Sequence, residues 1–314
     1  MGEFHCPMGA AFYDDEGCIL CEMCSAKTEQ EMVEASKKIR AYLRGQAPRN
    51  TPLKKIAVAG KGGVGKSTVT VLFANTLKKK GYSVMVLDTD ESNPGLLKLF
   101  GFEREPTPLI TLLPRFASGD ISSDTEWLKR DTITPSTIPA EYVVNGAGLK
   151  FMMVGKIQDP FQGCACSMAD MSRELIGKLA LADNEIIVVD MEAGVESFGR
   201  GVERHIDTVL VIAEPSLESI SLAEKINYMA QGMGIDRVSA ILNKVTSSRV
   251  EERMSEELRK RNVKVAGTVY FDSVLNEAGF DGIVPLDSPA MTDVQKIIDR
   301  LLEEARSQAG NSNR

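Results

Sequence analysis

The stretch Gly60-Lys61-Gly62-Gly63-Val64-Gly65-Lys66-Ser67-Thr68 does most to limit what this chain can become. The apolar run Ile56-Ala57-Val58-Ala59 before it reads as a buried strand, and Val69 to Lys80 after it reads as a helix. A glycine-rich turn with the spacing G-x-x-x-x-G-K-[ST] between a strand and a helix is a phosphate-binding loop. Its glycines let successive backbone N–H groups converge on a polyphosphate, and the helix N-terminus adds a dipole that favours the anion. Lys66 is placed to neutralise the β and γ phosphates, and Ser67 to hold Mg²⁺. Gly60, Gly62, Gly63, Val64, Gly65, Lys66, Ser67 and Thr68 therefore form the first part of a predicted nucleotide site.

The rest of the main domain alternates short apolar runs with helical stretches. Val84 to Asp88, Leu149 to Gly155, Ile186 to Asp190, Thr208 to Ala213 and Val238 to Asn243 join Ile56 to Ala59 as strand candidates. Continuous Val/Ile/Leu runs belong to strands buried on both faces, which predicts an α/β fold with a mostly parallel sheet and helices on each side. This domain is expected over 54–306, with a linker at 45–53 and a disordered tail at 307–314. Residues 1–44 are expected to form a cysteine-rich segment stapled by metal, followed by one helix from Glu29 to Leu43. Met32, Ala35, Ile39 and Leu43 make the apolar stripe of that helix. Glu103 to Ala147 is rich in Pro, Thr and Ser, has no strong period, and reads as a long excursion suited to partner contacts.

Three strand ends carry the remaining nucleotide chemistry. Val84 to Asp88 runs into Asp88-Thr89-Asp90, and residues at the carboxyl edge of a parallel sheet face the phosphate loop. Asp90 is placed to orient the attacking water, with Asp88 in a supporting role. Glu91 to Pro94 then reads as a switch that senses the γ-phosphate. Ile186-Ile187-Val188-Val189-Asp190 is the Walker B pattern, in which Asp190 holds Mg²⁺ through water. Met191 to Gly194 follows as a second switch, with the Gly194 N–H aimed at the γ-phosphate. Asn243, ending Ile241-Leu242-Asn243-Lys244, is suited to pairing with a nucleobase edge and selecting adenine. Glu214-Pro215-Ser216 reads as a helix start.

All six cysteines fall in two groups, Cys6, Cys18, Cys21 and Cys24, then Cys164 and Cys166. Clustering of this kind in a reducing compartment indicates metal ligation rather than disulfides. Cys18, Cys21 and Cys24 have the C-x₂-C-x₂-C spacing of bacterial ferredoxins, with Cys6 as a remote fourth thiolate. The set fits one [4Fe–4S] cluster better than zinc. Cys164 and Cys166 supply only two thiolates, so a closed site needs a second copy of the chain. Four thiolates across a two-fold axis suit Zn²⁺, Ni²⁺ or a bridging [4Fe–4S] cluster.

A net charge of −7 over 314 residues argues against a nucleic-acid partner held by bulk electrostatics. No apolar run is long enough for a membrane helix, and the N-terminus has no signal-peptide core, which points to a cytoplasmic protein.

Lys61, directly after the first glycine, resembles the deviant Walker A lysine of the MinD, ParA and nitrogenase iron protein class. That resemblance implies a homodimer closed by ATP, in which Lys61 reaches the partner's nucleotide and acts as an arginine finger would. More specifically, the chain resembles the CooC-type ATPases that mature the nickel centre of carbon monoxide dehydrogenase. The resemblance is carried by Lys61, by Cys164 and Cys166 after Gly163, and by Asp190-Met191-Glu192-Ala193-Gly194-Val195-Glu196 with Gly199-Arg200-Gly201. It implies an ATPase that holds metal across the dimer interface and delivers nickel to a client apo-metalloenzyme such as carbon monoxide dehydrogenase. The cysteine-rich extension resembles instead the Mrp/NBP-type iron–sulfur carriers, although their late C-x-x-C is absent here. A cluster carrier, or an ATP-gated electron donor like the nitrogenase iron protein, is the alternative the residues leave open.

Overall fold

The computed structural model describes residues 13–14, 17–18, 26–46, 53–90, 95–112, 126–146, 148–155, 165–199, 205–235 and 237–310. A two-residue antiparallel pair, β1 (Tyr13–Asp14) and β2 (Gly17–Cys18), precedes helix α1 (Glu29–Gln46). The predicted strand, loop and helix follow as β3 (Lys55–Gly60) and α2 (Lys66–Lys79), and then β4 (Ser83–Asp88). Short α3 (Leu96–Leu99), a 3₁₀ turn (Leu109–Leu112) and α4 (Glu126–Lys129) lead to β5 (Val144–Gly146) and β6 (Leu149–Met153). Next come α5 (Ala165–Lys178), β7 (Glu185–Asp190), α6 (Glu196–Gly199), β8 (Thr208–Ala213) and α7 (Leu217–Gly232). The chain finishes with β9 (Arg237–Val245), α8 (Ser248–Lys260), β10 (Lys264–Tyr270), α9 (Ser273–Ala278) and α10 (Pro289–Gly310).

Eight strands form one sheet in the order β10-β9-β8-β3-β7-β4-β6-β5. Every pairing is parallel except β5 with β6. Alternation along each strand sends side chains to two separate cores. Ile56 and Val58 face the core made with Phe73 and Leu77 of α2 and Val294 and Ile298 of α10. Ala57 and Ala59 face the other, made with Leu175 of α5, Ile226 of α7 and Leu258 of α8. The mostly parallel, doubly covered sheet is the expected one. Each βα crossover also brings a loop to the carboxyl edge, where the phosphate loop lies.

Several expectations need correction. The helix α1 continues to Gln46, into the predicted linker, and lies against α7 of the main domain. Ala35 and Ile39 are buried, but Met32 is half exposed, so the stripe is narrower than predicted. The tail expected at 307–314 is helical as far as Gly310, because α10 extends that far. The described parts of 103–147 are anchored to the core at intervals: Leu109, Leu112, Trp127, Leu128 and Tyr142 are buried against α5 and the sheet, while much of the rest is exposed. Scattered large apolar residues anchor this segment without a helical or strand period. The third strand candidate ends at Met153 rather than Gly155, and β5 and β10 were not anticipated.

Candidate functional site

Gly60 ends β3 in a conformation reserved for glycine, with φ +145°. A Cβ there would stand 2.5 Å from the Ile212 carbonyl oxygen on β8, so the loop can leave the sheet only through a glycine. Of the six carbonyls from Gly60 to Gly65, five accept a hydrogen bond. The Gly60 carbonyl accepts from the Gly194 N–H, that of Gly63 from Lys244 Nζ, that of Val64 from Asn243 Nδ2, and that of Gly65 from the Val69 N–H. Lys66 Nζ lies 3.4 Å from the Lys61 carbonyl. With its carbonyls occupied in this way, the loop offers its N–H groups to an anion, which is the fit a polyphosphate requires. Helix α2 starts at Lys66, immediately behind the loop, with no acidic residue in its first turn to repel phosphate.

Three carboxylates stand beside it. Asp88 and Asp190 end neighbouring strands in register, and Asp90 lies two residues further on; all three are buried. Asp190 accepts from Ser67 Oγ at 2.8 Å and Thr70 Oγ1 at 3.1 Å. Thr89 ties the two strand ends together through its N–H and hydroxyl, both donated to the Asp190 carbonyl. Asp88 Oδ1 accepts the Asp90 N–H at 3.1 Å, which fixes the turn after β4. Burial pushes the Asp190 carboxyl up to about 6, against the pull of Ser67, Lys66 and Thr70, and Asp90 adds to the rise. The charge that burial disfavours here is the one a hard divalent cation would compensate, with the Ser67 hydroxyl beside it. Among the described residues no three His, Cys, Asp or Glu side chains are grouped to hold a metal alone. Mg²⁺ would take its remaining ligands from phosphate and water, as it commonly does.

Sequence reasoning and structure differ in several details, beginning with the Gly194 N–H, which was expected to face a γ-phosphate and instead donates to the Gly60 carbonyl. Lys61 is ion-paired with Glu218 in the first turn of α7, a partner the sequence did not suggest. That hydrogen bond, with the attraction of the same carboxylate, raises the Lys61 ammonium above its ordinary value. Asn243 donates one of its two amide N–H groups to the Val64 carbonyl of the phosphate loop, a contact the sequence did not suggest. The cleft beside it, lined by Gly65, Thr68, Asn243, Tyr270, Phe271 and Leu275, is bordered by residues at and after the end of β10 that sequence reading missed. Ser216 does cap α7, accepting the Ser219 N–H, so Glu214-Pro215-Ser216 is the helix start it resembled.

The cysteine expectations fall mostly beyond what is described. Cys6, Cys21, Cys24 and Cys164 lie outside the described residues, as do the predicted switch residues 91–94. Cys18 ends β2, and Cys166 falls in the first turn of α5; their side chains are outside the described set. No described helix is long and apolar enough to cross a membrane.

With this geometry in place, comparison with known proteins is decisive at the level of family. The pattern of the CobQ/CobB/MinD/ParA nucleotide binding domain (CbiA) matches residues 55–286. The chain belongs to this family. It is 31% identical over 267 residues to the carbon monoxide dehydrogenase accessory protein CooC of Rhodospirillum rubrum, covering 82% of this chain and 100% of that one. An uncharacterized ATP-binding protein of Methanocaldococcus jannaschii is 38% identical over 205 residues, 61% of this chain and 78% of its own. An iron–sulfur cluster carrier protein of the same organism is 23% identical over 310 residues, 90% of this chain and 96% of its own. Among solved structures, the septum site-determining protein MinD of Pyrococcus horikoshii, complexed with Mg-ADP, superposes with a TM-score of 0.59 at 16% identity. It covers 81% of this chain and 98% of the other, which establishes the shared fold.

Proposed function

We propose that this CbiA-family chain is an ATPase that handles metal, and that its cargo is nickel destined for carbon monoxide dehydrogenase or a related nickel–iron–sulfur enzyme. The observation that carries the reading is the similarity to the Rhodospirillum rubrum accessory protein along that protein's whole length, in a chain that also has Lys61 and the Cys164/Cys166 pair. ATP with Mg²⁺ occupies the loop 60–68, with Ser67 and Asp190 at the cation, Lys66 at the β and γ phosphates, and Asp90 orienting water. Two copies then close, and Lys61 leaves Glu218 for the partner's nucleotide, exchanging a carboxylate for phosphate. The four thiolates of two Cys164/Cys166 pairs meet on the metal, and hydrolysis reopens the dimer and releases it. To the remaining thiolates, Cys6, Cys18, Cys21 and Cys24, we assign a [4Fe–4S] cluster on spacing alone.

Anaerobic nickel titration tests the cargo. The unaltered chain with Mg·ATP should bind one Ni²⁺ per two chains, and the double variant Cys164→Ser/Cys166→Ser should bind none at this site. A second reading, delivery of an iron–sulfur cluster, is favoured by the iron–sulfur carrier relative that spans nearly the full chain. Broad visible absorption that disappears with Cys164→Ser, together with cluster transfer to an apo-acceptor, would select it over nickel.

A further inference from the structure

Asn243 and Lys244, near the end of β9, reach back 179 and 181 residues to the phosphate loop. Asn243 Nδ2 donates to the Val64 carbonyl at 2.8 Å, and Lys244 Nζ donates to the Gly63 carbonyl at 2.6 Å. These two carbonyls are consecutive in the chain. In a planar trans peptide the C=O and N–H point in opposite directions. Holding the Gly63 carbonyl therefore fixes the direction of the Val64 N–H, and holding the Val64 carbonyl fixes that of the Gly65 N–H. Two adjacent residues on one strand thus turn two adjacent amide N–H groups away from the side chains that hold their carbonyls.

The backbone shows that this arrangement is imposed. Lys244 has φ +57°, and the other non-glycine residue with positive φ among those described is Asn262, of a type that adopts it readily. A lysine held in the left-handed region persists where its surroundings fix it, and such residues gather at functional sites. Here the ammonium is bracketed by the Gly63 carbonyl and by Glu214 at 3.3 Å. Glu214 is in turn held by its N–H to Ser219 Oγ in α7. Gly65 completes the fit, since a Cβ at that position would stand 2.6 Å from Asn243 Nδ2 and push the amide off Val64.

We propose that Lys244 is a positioning residue for the phosphate loop, acting with Asn243 as a two-pronged brace that presents the Val64 and Gly65 N–H groups to the polyphosphate. The inference rests on nucleotide binding by this family and is independent of the metal cargo. Its effect falls on phosphate recognition, although the lysine also borders the cleft beside Tyr270.

The test compares Lys244→Met, which keeps the aliphatic stem and loses the donor, with Lys244→Arg, which keeps a donor. Dissociation constants are measured for Mg·ATP and for inorganic tripolyphosphate with Mg²⁺, each by displacement of a fluorescent ATP analogue. The methionine variant should weaken both ligands by the same factor, about tenfold, the loss expected for one hydrogen bond from a charged donor. The arginine variant should stay within about threefold of the unaltered chain. Lys244→Gly, which suits the left-handed backbone, should weaken both ligands without lowering the melting temperature, separating the donor from the strain. Unchanged affinity of Lys244→Met for both ligands would overturn the proposal. So would a loss confined to ATP, which would assign the side chain to the base instead.

Discussion

Replacing Asp190 with asparagine should make the protein more stable in the absence of nucleotide, although it removes a carboxylate from the centre of the site. The reason lies in the proton. Asp190 is almost fully buried, and its carboxyl is pushed from an aspartate's ordinary 3.8 up to about 6. The folded chain therefore binds this proton more tightly than the unfolded chain does. The stability that goes with protonation is complete below about 3.8 and is lost as the pH rises through about 6. From that difference, ionised Asp190 costs about 3 kcal/mol at pH 7.5 and about half as much at pH 5. Asparagine has the same shape and no charge, and the Ser67 and Thr70 hydroxyls can each donate or accept to suit its amide. Urea unfolding at the two pH values gives the difference directly. Asp190→Asn should be more stable by about 1–3 kcal/mol at pH 7.5, and the gap should shrink by about 1.4 kcal/mol at pH 5. Mg·ADP should reverse the ranking, because a divalent cation favours the carboxylate. A variant less stable than the unaltered chain at pH 7.5, or a gap that ignores pH, would refute the reasoning.

Other outcomes follow from single contacts. Lys61→Ala should leave the affinity for ATP within a few-fold, since the side chain is engaged with Glu218, yet lower steady-state turnover by about a thousandfold if it acts as a finger in trans. Gly65→Ala combines a left-handed backbone with a displaced Asn243 amide. It should cost about 2–3 kcal/mol in urea unfolding and weaken ATP binding as well. Ile39→Ala should cost about 2 kcal/mol in the same assay, because α1 docks on α7; a change below about 0.5 kcal/mol would mean the helix adds nothing to the main domain.

Much of this fold was legible because its central strands are buried on both sides. Nothing polar interrupts β3, β4, β7 and β8 until the sheet edge, so each reads as a short apolar run that ends where function begins. The edge strands obey other rules. In β10, Lys264 to Tyr270, the apolar run is broken by Gly267, where a Cβ would meet Ile297 Cγ1 at 2.6 Å. That glycine is required by the close approach of α10, a contact 30 residues away that no local pattern records. The strand β5 is three residues long and includes a glycine, and it pairs only as an antiparallel addition to β6.

The site divides along the same line. The phosphate-site candidates lie in contiguous motifs, so Lys66, Ser67, Asp90 and Asp190 could be singled out from spacing, and neighbouring strands bring them together. The contacts that shape the loop are long-range. Glu218 reaches Lys61 from the start of α7, Lys244 reaches Gly63 from the end of β9, and Tyr270 and Phe271 reach the cleft from the end of β10 and the residue after it. Asn243 was identified by its place at a strand end, but its bond to Val64 depends on Gly65 having no side chain. These are properties of the folded sheet edge rather than of any window of sequence.

The central claim is that nucleotide joins two copies of this chain around one metal. Sedimentation equilibrium under anaerobic conditions, with Ni²⁺ and a slowly hydrolysed ATP analogue and metal analysis of the same sample, tests it most directly. The account predicts twice the mass of a single chain with one nickel per pair, and single chains without that nickel for Cys164→Ser/Cys166→Ser. A chain that stays single with the nucleotide bound, or a dimer whose nickel survives loss of both cysteines, would contradict it.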